Sequence, residues 1–305
     1  MPSRPQKVAI VTGATGFVGS HLVRRLLSDG WEVNAIRRSH PECEEMPFRA
    51  IRWHYHDRSI DSLMSVMDQV RPDVVFHLAS LFLAEHLPQD VERLIMSNIL
   101  FSSQLLEAMR ASGVYKLVNA GTSWQHYNSC DYNPANLYAA TKEAFEKIID
   151  YYVDAEGLNA VTLKLYDTYG PADRRSKLFR LLQHAASSGE EIEMSMGEQL
   201  IDLVHVDDVT QAFLDASRYL GEMGSKKHER FCVSSGRRES LREVVNIFTR
   251  EWGVRVNVKW GARPYRRREV MVPWTGCNLV PGWSPCICLE EGIRKLKSES
   301  DQTGS

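Results

Sequence analysis

Several features are missing from this 305-residue sequence, and each absence removes a class of protein. No apolar run reaches the roughly 20 residues a helix needs to span a bilayer. Neither sign of charge dominates: 37 Lys and Arg face 39 Asp and Glu, a net charge of -2. Neither a nucleic acid nor a membrane surface is therefore expected as a partner. The first residues, Met1-Pro-Ser-Arg-Pro-Gln-Lys7, are polar and lack the pattern of a signal peptide. None of the six cysteines (Cys43, Cys130, Cys232, Cys277, Cys286, Cys288) forms a Cys-x-x-Cys pair. They read as reduced thiols in a cytoplasmic protein. Cys286-x-Cys288 with Cys277 is a conceivable metal set, but buried or loop thiols are the simpler reading, and no metal is expected. There is no internal repeat.

What is present is an ordinary globular composition, 43% hydrophobic and 25% charged. The length suits one large domain, or one domain with a smaller lobe. Strand and helix alternate through the first half. Strands are expected at 7–12, 31–36, 50–54, 74–79, 116–121 and 160–165. Helices are expected at 17–28, 59–70, 91–112 and 137–156. This order predicts an α/β fold, a doubly wound parallel sheet of Rossmann type. The second half loses the rhythm. Helices at 177–187, 209–220 and 241–252 and short strands at 202–206 and 255–260 predict a smaller C-terminal α/β lobe. The expected division is residues 1–168 with 202–220 in the sheet domain, and 169–201 with 221–305 in the lobe. Residues 222–229 read as an exposed loop and 298–305 as a disordered tail.

Gly13-x-x-Gly16-x-x-Gly19 lies between a predicted strand and a predicted helix. Glycines there allow a tight turn and a close backbone approach to a pyrophosphate, and the helix N-terminus offers unpaired N–H groups. A dinucleotide is the expected ligand. The end of the second strand chooses which one. An acid there would bind a ribose 2′-hydroxyl. This chain instead has Ile36-Arg37-Arg38-Ser39, and two guanidiniums suit a 2′-phosphate. NADPH is expected over NADH. Asp57, after the third strand, is placed to accept from the adenine amino group. His54 and His56 lack further ligands for a metal.

Tyr138-Ala-Ala-Thr-Lys142 places a phenol and an ammonium about one turn apart on one helix face. A phenol beside a fixed cation ionises more easily, which suits proton exchange with an alcohol or carbonyl oxygen while hydride moves.

These residues resemble a family. Val11-Thr-Gly-Ala-Thr-Gly-Phe-Val-Gly19, Val75-Phe-His-Leu-Ala-Ser80, Asn98, Tyr138-x-x-x-Lys142, Leu163-Lys-Leu-Tyr-Asp-Thr-Tyr-Gly-Pro171 and Val204-His-Val-Asp-Asp-Val209 follow one another as in the extended short-chain dehydrogenase/reductases that act on nucleotide sugars. Gly282-Trp-Ser-Pro285 and Leu289-Glu-Glu-Gly-Ile293 resemble the C-terminal signature. The resemblance implies Thr122 as the hydroxyl that holds the substrate oxygen, Tyr138 as acid/base and Lys142 on the nicotinamide ribose. It implies cofactor contacts from Gly13, Thr15, Gly16, Phe17, Val18, Gly19, Arg37, Arg38, Asp57, Leu78, Ala79, Ser80, Asn98, Leu165 and Thr168. Substrate contacts are implied for Ser80, Thr122, Ser123, Trp124, Tyr138, Asp167, Arg174, Lys177, Leu178 and Arg266.

Within the family, dehydratases follow the Thr with Asp-Glu. Here Ser123-Trp124 follows, which argues against dehydration. Cys130 and His126 are available for a more elaborate epimerisation, although loop roles suffice for both. Asp167, where Asn is common, and Pro264-Tyr-Arg266-Arg-Arg-Glu269 resemble bacterial nucleotide-sugar 4-ketoreductases of the abequose and paratose synthase type. That resemblance implies a CDP- or dTDP-linked 4-keto-deoxyhexose as substrate. Ile201 stands where many relatives have an Arg for the substrate pyrophosphate, so Arg174, Arg175, Lys177 and Arg266–Arg268 are the cations left for it. Two alternatives stay open: a 4-epimerase with tightly held NAD, and a non-catalytic NADP-sensing regulator. The resemblance also implies a homodimer through helices 91–112 and 137–156.

Overall fold

The alternation becomes one parallel sheet. In the computed structural model, which describes residues 6–38, 48–129 and 131–303, the first half runs β1 (Val8–Thr12), α1 (Phe17–Ser28), β2 (Glu32–Arg37), β3 (Arg52–Tyr55), α2 (Ile60–Val70), β4 (Val74–His77), α3 (Val91–Ile95), α4 (Phe101–Ala111), β5 (Lys116–Thr122), α5 (Leu137–Glu156) and β6 (Asn159–Leu165). The second half adds β7 (Asp167–Tyr169), α6 (Leu178–Ser188), β8 (Ile192–Met194), β9 (Leu200–Ile201), β10 (Leu203–His205), α7 (Val206–Glu222), β11 (His228–Val233), β12 (Glu239–Ser240), α8 (Leu241–Trp252), β13 (Val258–Trp260) and α9 (Leu289–Thr303). Ser39, Cys43 and Cys130 lie outside the described residues.

Among the described residues the main sheet has seven strands in the order β11-β6-β5-β4-β1-β2-β3. Every pairing in it is parallel. Strands buried on both faces explain the near-continuous apolar runs: Ala9, Ile10 and Val11 are fully buried. On one face α1 and α7 contribute Leu22, Leu26, Val209 and Phe213 to a shared core. On the other, α2, α4 and α5 contribute Leu63, Met67, Leu105, Phe145 and Ile149. A third cluster, with Leu182, Val244, Phe248 and Ile293, binds α6, α8 and α9 into a smaller lobe. The strand order reverses between β1 and β4, which opens a crevice beyond their carboxyl ends.

Four expectations need correction. Residues 228–233, divided between a loop and the lobe, form β11 at the edge of the main sheet. Their polar residues His228 and Arg230 hid the strand. Both find charged partners on α5, at Asp150 and Glu146. The single helix expected over 91–112 is interrupted by a π-helical turn, Met96–Leu100, which buries Asn98. The tail beyond residue 298 continues α9 as far as Thr303. Finally, Cys232 and Cys277 are joined as a disulfide across 45 residues, with Cα atoms 5.7 Å apart. Spacing along the chain carries no sign of that pairing, which arises where β11 meets the segment after Trp274. With Cys277 engaged, the set Cys277, Cys286 and Cys288 does not form.

Candidate active site

The glycine loop closes at the reversal point. Gly13 has φ +73°, and a Cβ there would stand 2.7 Å from the Ala79 nitrogen. Only glycine lets the turn press against the end of β4. Gly16 caps α1 without any side-chain hydrogen bond. The first-turn N–H groups of Phe17, Val18 and Gly19 are therefore left to a ligand, and an anion suits them. Thr15 and Gly16 are exposed beside them. These residues fit the pyrophosphate of a dinucleotide.

At the end of β2 the Arg37 guanidinium lies over the Trp53 ring, 4.2 Å from its centroid. Arg38 is exposed. Arg37 ends β2 and Arg38 follows it, at the strand end where an adenosine ribose would lie. The Asp57 carboxylate is held down to about pKa 2 by the hydroxyl and N–H of Ser59. His54 shares a hydrogen bond with Asn34 and His56 with Ser62, so both serve the local structure.

After β4, the loop bearing Leu78, Ala79 and Ser80 is tied from two sides. Ala79 N–H donates to the Thr12 hydroxyl at 3.2 Å. The Asn98 amide accepts from Leu81 N–H at 2.7 Å and donates to the Leu81 carbonyl at 3.0 Å and to Thr141 Oγ1 at 3.0 Å. Asn98 was expected at the cofactor. Its side chain is committed to holding this loop against α5. Leu165 ends β6, and Thr168 Oγ1 donates back to the Tyr166 carbonyl at 3.3 Å.

The residues expected to handle the proton gather where β5 ends and α5 begins. Asn136 caps α5, its side chain accepting from Ala139 N–H at 2.9 Å. Tyr138 and Lys142 follow in the first turns. Thr122 closes β5 and accepts from Trp124 N–H at 3.3 Å. Phe82 links the two groups, edge-on to Tyr138 at 5.0 Å and tilted against Trp124 at 5.7 Å.

Electrostatics correct the expectation for Tyr138. Burial pushes its phenol up to about 12, while a hydrogen bond with Ser80 and the charge of Arg175 pull in the opposite direction. Burial outweighs the Ser80 hydrogen bond and the Arg175 charge because ionising the phenol means desolvating a charge. Lys142, 3% exposed, is itself drawn down to about 8 by burial; Glu146 raises it and Lys164 lowers it. Tyr138 is thus a neutral hydroxyl at pH 7, a proton donor.

Beside it opens a cleft of about 880 Å³ between the sheet's carboxyl end and the smaller lobe. Ser123, Trp124, Asp167, Arg174, Lys177, Leu178 and Arg266 of the expected substrate residues line it. Thr122, Tyr138 and Ser80 do not line it; Tyr138 meets its wall through Phe82. Lys177 pairs with Asp167 at 3.5 Å. Arg175, one of the cations considered for the pyrophosphate, is instead bound bidentately to Asp173, both contacts at 2.7 Å, and its guanidinium lies over the Phe17 ring. Arg268 is engaged by Asn133 and lies over the Tyr127 ring. That leaves Arg174, Lys177, Arg180, Arg263 and Arg266 as the cations lining the cleft, beside six carboxylates. Sequence reading missed Phe82, Arg263 and Trp274, which line the cleft without belonging to any recognised motif. Among the described residues no helix is long and apolar enough to cross a membrane.

Comparison with known proteins finds relatives that span nearly the whole chain. The chain is 24% identical to the CDP-abequose synthase of Salmonella muenchen, over 96% of this chain and 97% of that protein. It is 28% identical to the UDP-glucose 4-epimerase of Mycolicibacterium smegmatis, over 94% and 96% respectively. Among solved structures, MoeE5 in complex with UDP-glucuronic acid and NAD superposes with a TM-score of 0.80 at 26% identity, covering 97% of this chain and 99% of that one. The UDP-glucose 4-epimerase of Thermotoga maritima has the same fold, with a TM-score of 0.86 at 24% identity over 98% and 100% of the two chains. Residues 9–228 match the model of one family across most of the chain. The chain belongs to the NAD dependent epimerase/dehydratase family.

Proposed function

We propose that the protein reduces the C4 ketone of a nucleotide-linked 4-keto-6-deoxy or 3,6-dideoxy hexose, with NADPH as reductant. The observation that carries this reading is the neutral Tyr138 hydroxyl, packed edge-on against Phe82 of a cleft that presents Arg174, Lys177, Arg180, Arg263 and Arg266. Reduction of a ketone needs a proton donor at the oxygen, and Tyr138 is one at physiological pH. Thr122 would share that oxygen and Lys142 would hold the nicotinamide ribose. The bound dinucleotide supplies the hydride. Arg174, Lys177, Arg263 and Arg266 suit the diphosphate of a CDP or dTDP sugar. The likeness to CDP-abequose synthases supports a deoxysugar substrate.

Arg37 and Arg38 support NADPH over NADH. The test is NADPH oxidation, followed by absorbance, against CDP-4-keto-3,6-dideoxyglucose and dTDP-4-keto-6-deoxyglucose, with NADH in parallel. Arg37→Ala/Arg38→Ala is expected to raise the KM for NADPH about tenfold or more and leave that for NADH nearly unchanged, since charge-assisted contacts contribute roughly 1.5–3 kcal/mol each. Equal effects on both cofactors would refute the assignment.

A second reading is a nucleotide-sugar 4-epimerase, favoured by the 28% identity to the mycobacterial UDP-glucose 4-epimerase. Purified protein carrying NAD that survives dialysis, without ketosugar reduction, would establish it. In either case we propose a homodimer. Val91, Ile95, Met96 and Leu100 are each about 40% exposed along α3 and the π-helical turn, an apolar stripe beside α5. Sedimentation at the mass of a single protomer would exclude it.

A further inference from the structure

The proton-transfer scheme leaves a group of buried charges around Lys142 without a role. Glu146 lies four residues beyond Lys142 on α5, so the two share a face. It is 1% exposed. Its Oε1 accepts from Lys164 Nζ at 2.7 Å and from Gln125 Nε2 at 2.9 Å. Its Oε2 accepts from Lys164 Nζ at 2.9 Å and from Arg230 Nε at 3.2 Å. Gln125 also donates to Glu143, and its Oε1 accepts the N–H of Thr122 at 3.0 Å. Gly121 makes this possible. A Cβ there would stand 3.1 Å from Glu146 Oε1 and 3.3 Å from Gln125 Oε1. One carboxylate thereby joins the end of β5, the face of α5 that bears Lys142, and β6 and β11 through Lys164 and Arg230.

A buried carboxylate is costly unless it is paired and hydrogen-bonded, and one matched on both oxygens has little freedom. The charged and titratable groups facing Lys142 are the neutral Tyr138 and Glu146 on its own helix, Lys164 from β6 and His77 from β4. His77 is neutral, because burial holds it down to about 3. The charge balance at the Lys142 ammonium is therefore set by Glu146 against Lys164.

We propose that Glu146 is a positioning residue, which through Gln125 holds the Thr122 turn and, one turn along the same buried face of α5, supplies the counter-charge to the Lys142 ammonium. The proposal rests on the reading above that Lys142 acts at the dinucleotide.

The experiment measures NADPH binding by fluorescence from neutral to alkaline pH for wild type, Glu146→Gln and Lys164→Gln. Circular dichroism checks the fold of each. Wild-type affinity is expected to fall as pH rises through about 8, where Lys142 loses its proton. Removing the carboxylate charge in Glu146→Gln moves that fall about one pH unit lower, and removing the competing cation in Lys164→Gln moves it about one unit higher. A packing role alone would weaken binding at every pH without displacing the fall. Three coincident profiles, or a uniform loss, overturn the proposal. If Glu146→Gln does not fold, Lys164→Gln decides alone by the direction of its shift. A wild-type protein that binds no NADPH overturns the NADPH reading together with this proposal. Bound NADPH with coincident profiles overturns only the positioning role.

Discussion

At the residue scale, the chemistry turns on which groups are charged inside the fold. The shared helix face of Tyr138 and Lys142 was legible from their spacing, because four residues along a helix is a fixed distance, and their place after Thr122 at a strand end made them a candidate pair. Their ionisation was not, because it depends on what surrounds them. Burial leaves the phenol protonated and depresses the lysine. Tyr138→Phe is expected to lower kcat by about 10²–10⁴-fold, the usual contribution of a positioned proton donor, and to leave the NADPH dissociation constant within a few-fold of wild type. Stopped-flow oxidation of NADPH beside a fluorescence titration checks both. Unchanged turnover would remove Tyr138 from the reaction. Gln125 and Glu146 show the limit of reading residues singly. Each is an unremarked polar side chain in the sequence, and only the approach of β5, α5 and β6 makes them partners.

At the scale of elements, those with a capping residue and a clear period were the most legible. α1, α5 and α8 have the bounds expected from sequence, and Asn136 and Ser240 cap the last two. The edge strand β11 and the interrupted helix were not legible, because a polar edge strand and a π-turn are stabilised by contacts made elsewhere in the fold. One contact of α9 is testable. Gly292 packs on Tyr169 so closely that a Cβ would fall 2.0 Å from its hydroxyl. Among the described residues, that buried hydroxyl has no hydrogen-bond partner. Gly292→Ala is expected to destabilise the protein by about 1–3 kcal/mol through overpacking. Tyr169→Phe, which removes the unsatisfied oxygen, should cost little alone and recover part of that loss in combination. Urea unfolding of the three variants measures this. A double variant as unstable as Gly292→Ala would mean the collision lies elsewhere.

At the scale of the whole molecule, the disulfide fastens the C-terminal segment that carries Trp274 to the main sheet. Closing a loop of this separation contributes about 4 kcal/mol in the chain-entropy account. Thermal melts with and without a reducing agent should therefore differ by several degrees, and Cys277→Ser should melt at the reduced midpoint in both conditions. Identical melts would mean the two thiols are unbonded in solution. The sequence by itself determined six of the seven strands of the sheet and the glycine loop between β1 and α1, since period and glycine placement are local and survive without knowledge of neighbours. The tertiary structure alone decided which cations line the cleft, since Arg174 and Arg175 are adjacent in sequence and only Arg175 is bound to Asp173. It also decided that Cys232 meets Cys277, and that Tyr138 stays protonated. The physical reason is common to all three. Desolvation and pairing depend on which distant groups fold against a side chain, and a one-dimensional pattern does not record that distance.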